Sequence, residues 1–134
     1  MTIMTISSAS LLARRNKNKF FMATYDNLPV YKASYDLLLE IFNFSKNMDR
    51  EYKYTIGENL KKETTEMITN IYRANCAQNK TELIGRAREN IEIVRLFLRL
   101  IKDLKQITLL KFVRINEIIE SISKQLNFWQ KAVV

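Results

Sequence analysis

From Pro29 onward, apolar residues return every three or four positions, the spacing of one face of an α-helix. Val30, Ala33, Leu37, Leu38, Ile41, Phe42 and Phe44 mark a first helix that runs to about Asn47. Pro29 suits its first turn, where the missing N–H would be unpaired anyway. Ile56, Leu60, Met67, Ile68, Ile71 and Tyr72 predict a second helix from about Lys53 to Ala77. A third opens at Asn79, with Glu82 three residues on in the order of a capping box. Its apolar face is Leu83, Ile84, Ala87, Ile91, Val94, Leu98, Ile101 and Leu104. Thr108 is the expected cap of a fourth helix carrying Phe112, Ile115, Ile119, Ile122, Leu126 and Trp129. The links between these helices are only a few residues long, which favours antiparallel neighbours. The pattern therefore predicts an all-α, up-down four-helix bundle over residues 25–134.

On the third helix, Ile93, Leu96, Phe97 and Leu100 lie outside the main stripe. Either the core face is wide, or one apolar face packs inside the bundle and the other against another molecule. Self-association is the preferred reading.

Composition agrees with helices. Two glycines and one proline among 134 residues leave few turns for a many-stranded sheet. Apolar runs are too short to cross a bilayer. A lone cysteine, Cys76, allows no internal disulfide and fits a reducing, cytoplasmic setting. The chain has no histidine, so the commonest general base and metal ligand is missing. Glu63 and Glu66 stand three apart, but a di-metal carboxylate bundle needs Glu-x-x-His pairs. No catalytic residue, metal site or cofactor is expected.

Residues 1–24 differ from the rest. They hold Arg14, Arg15, Lys17 and Lys19, no acid and no sustained apolar period, and are expected to be a disordered tail. Their charge follows the apolar segment, the reverse of a secretory signal, and Met22-Ala23-Thr24 resembles a natural start. The net charge of the whole chain is +8. Without the four cations of the tail, 18 basic side chains face 14 acids.

The remaining charge is not evenly spread. Arg88, Arg95, Arg99 and Lys102 fall on one stripe of the third helix, with Arg86 and Lys105 flanking it. Such a row could follow a phosphate backbone. It could also be a solvated face, since Glu89, Glu92 and Asp103 stand at pairing distance along the helix. Lys61, Lys62 and Arg73 on the second helix are weaker candidates of the same kind. Tyr52 and Tyr54 could stack on bases or cap the core.

The segments LPVYKASYDLLLEIF, DREYKYTIGENLKKE, IYRAN, ENIEIVRLFLRLIKDLKQIT and ISKQLNFWQKA follow one another over about residues 28–132. In this order they resemble the accessory variability determinant proteins of diversity-generating retroelements. These are similar to four-helix-bundle proteins encoded within ribosomal-RNA intervening sequences. The most specific pieces are Arg50 to Gly57 and Gln125 to Trp129. The resemblance implies a homopentameric barrel with a positive surface that binds a reverse transcriptase and its template RNA, or an RNA–DNA hybrid. It implies a non-catalytic part in mutagenic copying into a target gene. The alternative is an oligomeric scaffold of the intervening-sequence type.

Overall fold

A computed structural model describes residues 27–133, so the expected tail at 1–24 lies outside the described residues. Among the described residues the chain is all helix and turn. In order they are α1 (Pro29–Ser45), a single turn α2 (Arg50–Lys53), α3 (Ile56–Cys76), α4 (Thr81–Asp103) and α5 (Leu109–Val133). Each long helix packs on its neighbours, α1 on α3, α3 on α4, α4 on α5 and α5 back on α1, which makes a square of four. Directions alternate. Arg88 meets Gln130, Arg95 meets Glu120 and Lys102 lies over Phe112, so α4 and α5 run opposite ways.

The centre is filled from all four long helices, by Leu37 and Ile41, Leu60 and Met67, Ile91 and Leu98, and Ile115 to Leu126 at helical spacing. Trp129 closes it near the end of α5. Removing such side chains from water is the main stabilising term of the fold. Two polar residues also enter the core at no hydrogen-bond deficit. Ser34 donates to the Val30 carbonyl at 2.7 Å and Thr64 to the Leu60 carbonyl at 2.8 Å, each using its own helix as acceptor.

Helix ends show where local sequence decides. Pro29 sits in the first turn of α1 as expected. Thr108 caps α5, its Oγ1 accepting the Lys111 N–H at 3.2 Å. The capping box at Asn79 does not form. The helix begins at Thr81, Asn79 Oδ1 accepts the Thr81 N–H at 3.3 Å, and Glu82 turns away to pair with Arg86 at 2.8 Å. Lys80 serves the preceding helix instead. Its Nζ donates to the carbonyls of Ala74, Asn75 and Ala77 at 2.9, 3.0 and 2.8 Å, a cation on the C-terminal end of α3. Burial holds the Lys80 ammonium below its ordinary pKa, with the nearby Cys76 pulling the other way.

The expected second helix is interrupted. Thr55 donates to the Glu51 carbonyl at 2.6 Å, closing α2 into a separate turn, and α3 starts only at Ile56. Phe42 and Tyr72, expected on core faces, are 47% and 46% exposed. The Phe42 ring is instead covered by the Lys61 ammonium, 4.5 Å from its centroid. On α4, Leu96 and Leu100 do lie outside the core, whereas Phe97 packs at its margin.

Candidate nucleic-acid interface

The α4 stripe survives as one row in three dimensions, along the seam between α4 and α5. Arg88 borders a cleft with Gly85, Ser123 and Gln130. One turn and more further on, Arg95, Arg99 and Lys102 share a second cleft with Leu96, Phe112 and Asn116. Residues seven and four apart lie above one another on a helix, which is why spacing alone sufficed to find the row.

Its members differ in how free they are. Arg88 donates to Gln130 Oε1, and Gln130 Nε2 in turn donates to the Thr81 carbonyl at 3.1 Å. Gly85 keeps space for that amide, since a Cβ there would stand 3.3 Å from Gln130 Nε2. Arg95 is half-buried and joined to Glu120 of α5 and, at 3.2 Å, to Glu92. Burial alone would lower its pKa, but the hydrogen bonds to Glu120 and Glu92 outweigh it and raise the value. Its charge is thus balanced inside the seam. Arg99 is 78% exposed and stands 4.0 Å from Asp103, a loose pair of little energetic weight. Lys102 lies with its ammonium 5.1 Å from the Phe112 ring centroid. Lys105 is exposed, one residue past the C-cap of α4, and has no ion-pair partner among the described residues.

Lys105 has a φ of 60°, the only non-glycine residue described with positive φ. The reason is the way α4 ends. The Gln106 N–H reaches the Ile101 carbonyl at 3.0 Å and the Lys105 N–H that of Lys102 at 2.9 Å, the paired bonds of a Schellman motif. That motif needs a left-handed residue at this point, and here a lysine fills the place usual for glycine.

The other three candidates stand elsewhere. Lys61, Lys62 and Arg73 line a long open groove between α3 and α4, with Arg86 but also Glu58, Glu66 and Glu89. Lys61 pairs with Glu58 at 3.2 Å besides covering Phe42. Lys62 and Arg73 are exposed and have no partner among the described residues. At the base of this groove Asn70 Nδ2 donates to Asn90 Oδ1 at 2.8 Å, and Asn90 Nδ2 to Glu63 Oε2 at 2.6 Å. This places Glu63 in a structural bridge between helices. Both surfaces are of mixed sign, since Glu89 and Glu92 line the seam clefts as Glu58, Glu66 and Glu89 line the groove, but the seam alone aligns its cations in one row.

A family model described as bAvd-like matches residues 29–133, which is nearly every described residue. The chain belongs to the bAvd-like family. bAvd is the bacterial accessory variability determinant, so the match agrees with the resemblance carried by the five segments above. No curated protein matches the chain significantly. In this bAvd-like chain no group of three or more potential metal-ligating side chains comes together among the described residues. Nor is any described helix long and apolar enough to cross a membrane.

Tyr52, inside α2, and Tyr54, its C-cap, have separate positions. Tyr52 is half-buried against the core, while Tyr54 is 61% exposed. Residues two apart on a helical turn are about 200° apart, so the two rings point to opposite sides.

Proposed function

We propose that this bAvd-like protein is a non-catalytic, self-associating subunit of a diversity-generating retroelement that holds the reverse transcriptase and its template RNA. The observation that carries the reading is the row Arg88, Arg95, Arg99 and Lys102 along one seam, with Lys105 in the turn beyond it, on a chain of this family. Phosphate contact from such a row gives affinity without base readout, so structured RNA or an RNA–DNA hybrid is the expected ligand class. Exposed apolar side chains on the outer surface, among them Leu39 at 49% and Leu96 at 63%, support assembly of several copies, with a pentamer as the expected ring. A ring would place several seams side by side and sum their fields.

Filter binding over a salt series tests the RNA reading. The log–log slope should be roughly 0.7 to 0.9 per phosphate neutralised. Arg99→Glu with Lys102→Glu should remove binding at low salt while the assembly persists. Equal binding by parent and variant would leave the row a solvated face. Light scattering tests assembly, and a monodisperse mass near 15.9 kDa would refute it.

The pairing of Arg95 with two acids and of Arg99 with Asp103 favours a second reading, a scaffold without nucleic acid. Absence of RNA binding by an intact oligomer would select it.

A further inference from the structure

We propose that Tyr54, flanked by Arg50 and Lys53, is a stacking platform for an unpaired nucleobase at the end of the bundle where the seam row finishes. The inference rests on the RNA-binding reading and names a subsite within it.

The argument begins with what holds the ring in the open. Thr55 is tied back to the Glu51 carbonyl at 2.6 Å, and the Tyr54 N–H reaches the Arg50 carbonyl at 3.3 Å. The turn is therefore fixed, and its side chain is directed outward without help from the core. Tyr52 already supplies the aromatic packing this turn contributes to the bundle. Two cations attend the exposed ring, the Arg50 guanidinium carbon at 5.9 Å from its centroid and Lys53 Nζ at 5.7 Å. Both stand over the ring as cation–π partners, so an incoming base takes ring surface from them. An exposed ring among mobile cations is chemistry used for single-stranded nucleic acid. The ring takes the base and the cations take the flanking phosphates.

Position supplies the second half of the argument. Asp49, the residue before α2, donates its N–H to Gln106 Oε1 at 2.7 Å. Gln106 directly follows Lys105, the cation in the turn just past the end of α4. The platform thus stands at the same end of the bundle as Lys102 and Lys105. Tyr54 sits on the connection between α1 and α3, across the end of the bundle from the α4–α5 seam, so a strand leaving the seam here would cross the Lys105–Gln106 turn to reach it. Two acids are close by. The Asp49 carboxylate accepts from Gln106 Nε2 at 3.1 Å, while Glu51 remains exposed and opposes phosphate. Stacking carries no donor–acceptor code, so the preference should follow ring area, purine over pyrimidine.

The test uses the full chain and two RNA probes. One is a blunt hairpin duplex, and the other is the same duplex with a short overhang carrying a fluorescent adenine analogue quenched by stacking. The parent should bind the overhang probe about tenfold more tightly than the blunt one, with quenching. Tyr54→Ala should lose that gain and the quenching, yet hold the blunt duplex as the parent does, which also reports an intact fold. Tyr54→Phe should keep both effects. If the parent binds both probes equally, or Tyr54→Ala still quenches, the platform is overturned while the seam reading stands. If neither probe binds at low salt, both readings fall together.

Discussion

Asp49 and Gln106, 57 residues apart in the chain, hold each other by reciprocal hydrogen bonds. The backbone N–H of Asp49 donates to Gln106 Oε1 at 2.7 Å, and Gln106 Nε2 returns a bond to Asp49 Oδ2 at 3.1 Å. A third bond, from Gln106 Nε2 to the Leu104 carbonyl at 3.1 Å, orients the amide. Two loops at one end of the bundle are thereby joined.

The clasp should be measurable as a coupling. Asp49→Ala and Gln106→Ala are each expected to lower stability by about 0.5–1 kcal/mol, since both groups are exposed and water competes for them. Urea unfolding of the singles and the double closes the cycle. Asp49→Ala keeps the backbone N–H bond to Gln106, so the cycle reads the carboxylate bond alone. The double should cost less than the sum, and strict additivity would show that this bond contributes nothing.

Lys105→Gly should stabilise the protein by about 1 kcal/mol, because a left-handed backbone strains any residue with a Cβ. A rise in the urea midpoint at unchanged slope checks it. Lys105→Val should move the midpoint the other way.

Lys80 makes stability depend on alkaline pH in a definite direction. Its folded-state pKa lies below the ordinary 10.5 because burial disfavours the charge. Between those values the unfolded chain binds more protons than the folded one, so unfolding free energy rises with pH. Below both values the cost of burying the charge is fully present. It is relieved as pH climbs through the folded pKa toward 10.5. Parent minus Lys80→Met, followed by urea unfolding from pH about 8 upward, isolates this contribution from the tyrosines. The difference should shift in favour of the parent as pH rises. A flat difference would mean the ammonium is not desolvated.

Arg95 and Arg99 stand one turn apart in the same row, yet their reversal should have opposite consequences. Arg95→Glu sets a third carboxylate against Glu92 and Glu120 and should lower thermal stability. Arg99→Glu meets only exposed Asp103 and should leave the melting temperature nearly unchanged. Calorimetry beside RNA binding separates the two roles. Equal melting temperatures would refute the assignment of Arg95 to the seam.

Much of the bundle could be read from spacing because a helix repeats its faces. Ile84, Ile91, Val94, Leu98 and Ile101 are buried as their period predicts, and Pro29 and Thr108 carry end signals of their own. Periodicity locates the middle of a face but not its edges, and Phe42 and Tyr72, at those edges, stand about half exposed. Buried Thr64 donates to the Leu60 carbonyl of its own helix, but the acceptor of buried Asn90, Glu63, lies 27 residues away on another helix, beyond the reach of any local pattern. The same limit holds at the candidate interface. Spacing aligned Arg88, Arg95, Arg99 and Lys102, but the partner of Arg95 lies 25 residues away on another helix. The end of α4 was hidden for a different reason, because a lysine occupies a position that glycine would have announced.

The square arrangement of the long helices also carries an order of assembly. α3 packs on α4 and α4 on α5 across connections of a few residues, at 77–80 and 104–108, so these pairings close short loops. Such local topology belongs to fast folders. The packing of α1 against α5 is different, joining the two ends of the described chain, with Glu40 held by Lys111 at 3.5 Å and Arg114 at 3.2 Å. Its loop-closure entropy is the largest in the fold, so this seam forms last and opens first. Amide hydrogens along α1 should accordingly exchange before those at the centre of α4.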